Sequence, residues 1–176
     1  QVLVTHTHQD HSPAVAALKE RTGCRVFGWP APPGAGQDQT FWADDEPEHG
    51  DLIVTEAGLL KVLHTPGHAS NHLCFLLVDQ KLLFSGDHIM QGSTVVINPP
   101  DGDMKAYIES LYELLAESIR YIAPAHGFLM GQPEAVIDYL ITHRLSREHK
   151  IFRALEALAP VSLKDLTAKA YDDVPA

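Results

Sequence analysis

"THTHQDHSPA", residues 5–14, places His6, His8, Asp10 and His11 within six positions. In an extended strand alternate side chains share a face, so His6 and His8 can aim at one point. Asp10 and His11 follow where the chain turns toward a helix, and can serve a second point beside the first. Such groups are costly to bury unless they pair or coordinate. The residues just before them, "QVLVT", are apolar and β-branched and read as a buried strand. Just after, Ser12 and Pro13 suit the N-cap and first turn of a helix running through "AVAALKERTG" to Gly23. "CRVFGW" then supplies a second strand, so residues 1–29 predict a βαβ unit with the histidines at the end of its first strand.

Outward from that unit, residues 30–39, "PAPPGAGQDQ", form an irregular loop. "DLIVTEAGLLKVLHT" reads as two strands around a turn at Glu56–Gly58, and "HLCFLLV" and "KLLFSG" as a pair joined at Asp79 and Gln80. Residues 103–120 have helical periodicity, "YIAP" is a short strand, and residues 133–158 are helical. The tail then reads as helix, turn and second helix with Ser162 as N-cap. Ile151, Leu155 and Leu158 lie at helical spacing, ready to face Val161, Leu163 and Leu166. No repeat or low-complexity tract interrupts the chain.

Three later strand ends carry further donors: His68 in "HTPGHASNH", Asp87 in "FSGDHIM" and His126 in "APAHG". With the first cluster they make five histidines and two carboxylates. Imidazole with a few carboxylate oxygens suits zinc, iron or manganese. Seven donors exceed what one tetrahedral ion accepts and suit two ions.

This pattern resembles the metallo-β-lactamase-fold hydrolase superfamily. The H-x-H-x-D-H signature of that family stands here as His6-Thr7-His8-Gln9-Asp10-His11. Its "PGH" histidine is matched by His68, its "GD" aspartate by Asp87 and its last histidine by His126. The resemblance covers residues 1 to about 140. It implies an α+β fold, the αββα sandwich, without the strands that normally precede the signature. Residues 1–143 are therefore expected to form an incomplete catalytic domain, and residues 144–176 the start of a winged-helix-like domain. His143-Arg144 with that tail, and "STVVINPPDGDM", resemble the branch of the mitochondrial β-lactamase-like endoribonuclease and its bacterial relatives. The resemblance implies a first ion on His6, His8 and His68 and a second on Asp10, His11 and His126, with Asp87 bridging. The ions are most simply Zn2+, with iron or manganese as alternatives. A hydroxide bridged between them is the implied nucleophile, with Asp10 as the catalytic group that orients it or relays its proton.

The substrate stays open at this point, between a small ester, thioester or lactone and single-stranded RNA. A glyoxalase II-like thioesterase shares the seven ligands but normally carries a helical glutathione-binding tail. A single-strand endoribonuclease suits the tail, yet the net charge of −10 argues against a broad basic surface. A true β-lactamase lacks the aspartate matching Asp87. A persulfide dioxygenase would use one iron, and a metal-stabilised binding scaffold is the non-enzymatic alternative. Among eleven histidines, His49, His64, His143 and His149 read as surface or packing residues. His72 is either structural or a proton-transfer group, and His88 lines the pocket. The two cysteines, Cys24 and Cys74, sit in apolar runs and read as core thiols of a reducing, cytoplasmic compartment. No stretch reaches the ~18 apolar residues of a membrane span and no signal peptide stands out. The chain begins on a strand without an initiator Met, which reads as an interior piece of a longer protein.

Overall fold

The computed structural model describes residues 1–158 and 160–173. They form two compact units, Gln1–Ile137 and Asp138–Ala176. In the first unit, β1 (Val2–Leu3) pairs in parallel with β2 (Val26–Phe27), linked by helix α1 (Val15–Thr22). The βαβ unit is present, but each strand pairs over two residues rather than the five or six its apolar run suggested. The chain leaves this ladder early because Thr5 turns its carbonyl to Leu73 of the second sheet (2.7 Å). Ser12 does not cap α1. Its hydroxyl donates to Asp38 (2.8 Å), and Ala14 occupies the cap position with no side-chain bond. Gly23 closes α1 in the left-handed conformation (φ 65°), its N–H donating to the Lys19 carbonyl.

The second sheet has six strands in sequence order. These are β3 (Leu52–Thr55), β4 (Gly58–His64), β5 (Leu73–Leu77), β6 (Leu82–Gly86), β7 (Tyr121–Pro124) and β8 (Met130–Gly131). All pairs are antiparallel except β6 with β7, whose crossover contains helix α2 (Met104–Leu115). The two-residue β8 was too short for a sequence signal. Helix α2 begins where Asp103 accepts from the Ala106 N–H (2.9 Å).

Four layers follow from alternation along the strands. Val4 and Val26 pack with Val15 of α1, whereas Leu3 and Phe27 turn inward to Ile53, Leu60, Val62, Leu73, Phe75 and Leu77 of the larger sheet. On β4 the intervening Lys61 points to the opposite face, where it pairs with Glu117 just beyond α2 (2.6 Å). Residues 65–67 lie against α2, with the Ser110 hydroxyl donating to the Pro66 carbonyl (2.9 Å). The order α1, small sheet, large sheet, α2 is an αββα arrangement.

The second unit begins within helix α3 (Pro133–Leu158) and continues to α4 (Leu163–Ala170), capped by Ser162, which accepts from the Asp165 N–H (3.1 Å). Of the residues expected to face one another across these helices, Ile151, Val161 and Leu166 are half-buried, whereas Leu155, Leu158 and Leu163 are 40%, 44% and 80% exposed. Ala154 and Ala170 are buried. Polar groups also join the elements. Arg147 and Lys150 of α3 pair with Asp173 and Asp172 beyond α4, and the Arg147 guanidinium lies over the Tyr171 ring (4.5 Å). Neither cysteine is in a disulfide: Cys74 is buried and Cys24 partly buried. No described helix is long and apolar enough to cross a membrane.

Candidate metal centre

The seven donors singled out by the sequence gather at one end of the first unit, where the strands finish. His6, His8 and His68 each offer a ligand atom within 4.8 Å of one another. So do His6, His11 and Asp87, and so do Asp10, His11 and His126. His6 and His11 are shared between these groups, so all seven belong to one continuous cluster. Burial grades across it. His6 and Asp87 are buried, His8, His11 and His68 half-buried, and the side chains of His126 and Asp10 are 45% and 61% exposed.

Asp87 occupies the middle. One carboxylate oxygen is 3.5 Å from His11 Nε2 and 3.7 Å from His68 Nε2, and the other is 3.5 Å from His126 Nε2. Asp10 lies 3.2 Å from His126 Nε2 and 3.5 Å from His11 Nε2. All of these separations exceed a normal charge-assisted hydrogen bond of about 2.7–2.9 Å. They match donors sharing an ion, since two atoms held ~2.1 Å from a tetrahedral centre lie roughly 3.4 Å apart. The Nε2 atoms of His6, His11 and His68 and one oxygen of Asp87 are also buried without a hydrogen-bond partner. Orphaned donors and acceptors at this depth are costly, and a cation satisfies them together. The residues therefore fit a metal.

The opposite edges of the rings are fixed. His68 Nδ1 donates to the Val96 carbonyl (2.6 Å), and His6 Nδ1 pairs with the Thr5 hydroxyl (3.0 Å). Both leave Nε2 facing the cluster, the orientation a ligand needs. Burial, then the neighbouring His11, His8 and His68, push His6 down to about 2. Burial and the other imidazoles likewise lower His8. Both rings are thus neutral at working pH and open to a cation. Burial alone would lower His11, but the Asp87 carboxylate outweighs it and raises the ring. Asp87 is conversely held below the usual carboxylate range, because the adjacent imidazoles overcome its burial.

Several residues that support the cluster carried no signal in the sequence. Thr7, between two histidines that face the cluster, must point the other way and is fully buried. Its hydroxyl donates to Gln37 (2.6 Å) and accepts from Asn71 (2.8 Å). Gln37 donates in turn to Asp101 (2.6 Å), which also takes the Ser70 hydroxyl (2.5 Å) two residues from His68. Asp38 binds the Thr7 carbonyl through its N–H (2.8 Å) and the Ser12 hydroxyl through its carboxylate. The Pro- and Gly-rich loop thus ends in two residues that clamp the histidine turn. The unpartnered side of Thr7 was the available clue, since a buried hydroxyl demands a partner.

Gly67, in the "PGH" turn, is required by close approach. A Cβ there would lie 2.4 Å from Tyr107 Cα of α2, and its φ of 139° is unfavourable for other residues. His49 and His64 bond to each other through the His64 N–H (3.3 Å), and the His64 ring lies tilted against Trp29 (4.4 Å between ring centres), as surface or packing residues do. His72 and His88 are fully buried.

Comparison with known proteins identifies the family. The family model described as the metallo-beta-lactamase superfamily matches residues 1–126. The chain is 32% identical to the Beta-lactamase-like protein 2 homolog of Drosophila melanogaster over 99% of its own length and 61% of that protein's. It is 26% identical to the atrochrysone carboxyl ACP thioesterase dmxR1 of Cryptosporiopsis sp., over 88% of this chain and 45% of that one. A metallo-beta-lactamase family protein from Thermus thermophilus superimposes with a TM-score of 0.73 at 20% identity, covering 96% of this chain and 67% of that chain. The chain thus spans about three-fifths of its insect relative. With strand-end donors, layered fold and family model in agreement, the chain belongs to the metallo-beta-lactamase superfamily.

Proposed function

We propose that the cluster holds two divalent ions, most simply zinc, and that the protein is a metal-dependent hydrolase of a small ester or thioester. His6, His8 and His68 would hold one ion and Asp10, His11 and His126 the other, with Asp87 between them. The observation that carries this reading is the spacing of Asp87, 3.5–3.7 Å from the ring nitrogens of both sets, with buried partner atoms left unsatisfied. When bound, the ions supply Lewis acidity that ionises water near neutral pH and stabilises a developing oxyanion.

The protein's own groups supply the rest. His6 and His68 arrive pre-oriented by Thr5 and Val96, so little reorganisation is needed. Asp10 is the exposed carboxylate of the cluster and reaches solvent on the side of His126. It would orient an attacking water and accept its proton. A thioester substrate is supported by the relative named as a thioesterase. RNA is disfavoured by the net charge of −10, which repels a phosphate backbone.

The test is metal analysis of the purified protein, followed by assay against thioester, lactone, β-lactam, phosphodiester and RNA substrates. Two equivalents of metal with thioester or ester turnover are expected. A single iron with persulfide oxidation, or no turnover with both ions present, would overturn the reading.

A further inference from the structure

His72 belongs to none of the three donor groups, yet it is fully buried five residues beyond Gly67 and lies against the Asp87 turn. Its Nε2 is 3.2 Å from the backbone N of Asp87. An amide N–H can only donate, so Nε2 is an acceptor and the neutral ring carries its proton on Nδ1. That proton faces the Thr65 hydroxyl at 2.9 Å. The Thr65 oxygen, now an acceptor, directs its own hydrogen to Cys74 Sγ (3.2 Å), and the thiol reaches the Ser85 carbonyl (3.5 Å). Ser85 and Asp87 flank Gly86, so the chain of bonds leaves and re-enters one turn. Each buried group in it has one consistent direction of donation.

A second observation comes from Gly86 itself. Its φ is 51°, and a Cβ there would lie 2.7 Å from His72 Nε2 and 2.9 Å from Thr5 Cβ. The His72 ring therefore occupies the space that any side chain at residue 86 would fill. The flanking backbone is anchored too: Leu73 donates to the Thr5 carbonyl (2.7 Å), and the Thr65 N–H to the His72 carbonyl (2.9 Å). Through its own bond to Asp87 and that of Leu73 to Thr5, the His72 segment ties the residue preceding His6 to the turn bearing Asp87.

We propose that His72 is a positioning residue for the central carboxylate: by accepting the Asp87 N–H it fixes where Asp87 enters the metal cluster. This rests on the metal-centre reading above. Ring packing alone would make the role depend on volume, whereas positioning makes it depend on an acceptor at the Nε2 position. The amide of Gln reaches that position and the shorter amide of Asn reaches only the Nδ1 position. Leu fills the space without hydrogen bonding.

Cobalt titration of the full chain, followed by visible spectroscopy and chelator competition, separates these roles. His72→Asn and His72→Leu should weaken the looser cobalt equivalent by about 10–100-fold, as loss of a ligand's supporting bond does, and alter its absorption bands. His72→Gln should stay within about threefold of the parent with the same bands, since the supporting acceptor is kept. Equal damage in all three variants, or none in Asn and Leu, overturns the proposal. Long-range 1H–15N spectra of the unsubstituted protein give a test independent of variant folding. They should show His72 protonated on Nδ1 and bare on Nε2, and the opposite tautomer overturns the proposal. Failure of the unsubstituted chain to take up cobalt would overturn the metal-centre reading, and this inference with it.

Discussion

Acid should destabilise the metal-free protein steeply. Burial holds His88 at about 3, and burial with three neighbouring imidazoles holds His6 at about 2. Unfolding returns each to about 6.5, where it takes up a proton below that pH. These groups have depressed values in the folded state, so their contribution is full above pH 6.5 and is lost as pH falls. At pH 5 the linkage is about 2 kcal/mol for each ring, or ~4 kcal/mol for the two. His72, pushed well below its ordinary value by burial, adds in the same direction. His11 opposes them. Its folded value is raised by Asp87, so its contribution is present below pH 6.5 and is lost as pH rises. Against a typical total of 5–15 kcal/mol, the expected net loss between pH 7 and pH 5 is a large fraction of the whole. Urea unfolding at stepped pH in a chelator measures it directly. Replacing His88 with Met should flatten the dependence by about one proton. Stability that is constant or rising from pH 7 to pH 5 would refute the reasoning.

Three further outcomes follow from the site and the tail. Asp87→Ala removes the carboxylate set between the two groups of histidines, so at least one metal equivalent and most turnover should be lost, with Asp87→Asn nearly as damaging. Full occupancy and normal turnover in Asp87→Ala would contradict the bridging role. Gly67→Ala should cost at least about 2 kcal/mol in thermal unfolding, because the added methyl meets the α2 backbone. A neutral result there would mean the turn and helix separate easily. Ending the protein before Arg144 should leave its metal content unchanged while altering substrate preference, consistent with every donor lying in Gln1–Ile137. Loss of metal on that truncation would place the tail inside the catalytic core.

The donors were legible because their chemistry is rare and their positions are local: His6, His8, Asp10 and His11 crowded into six residues just beyond β1, and His68, Asp87 and His126 in turns directly after later strands. Apolar runs bounded by turn residues also foretold β3, β4, β5 and β6, which are long enough to carry a signal. What the sequence concealed depends on contacts between distant segments. Ser12 has every local mark of a helix cap, but Asp38 sits within reach of its hydroxyl and takes it. Gln37 looks like one polar residue in an irregular loop until Thr7 and Asp101 arrive on either side. In the tail, helical spacing marked Ile151, Leu155 and Leu158 as a contact face, yet only Ile151 is half-buried and the two leucines remain exposed, while Arg147 and Lys150 reach Asp173 and Asp172. Spacing states which residues share a face. It does not state what that face meets.

The division of labour within the cluster has a physical consequence for how it forms. His6 and His126 are separated by most of the first unit, so the full donor set exists only once both sheets are in place. The inner donors are held from behind, His6 by Thr5, His68 by Val96 and the turn of Asp87 by His72. The outer pair, Asp10 and His126, is exposed, with Asp10 lying 3.2 Å from the His126 ring nitrogen. A donor set that is already ordered loses little conformational freedom on binding, whereas an exposed pair must lose it at that moment. The inner histidines therefore form a preorganised site built by folding. On the two-ion reading proposed above, the outer site would be completed by the cation itself, with the buried Asp87 between the two groups of histidines.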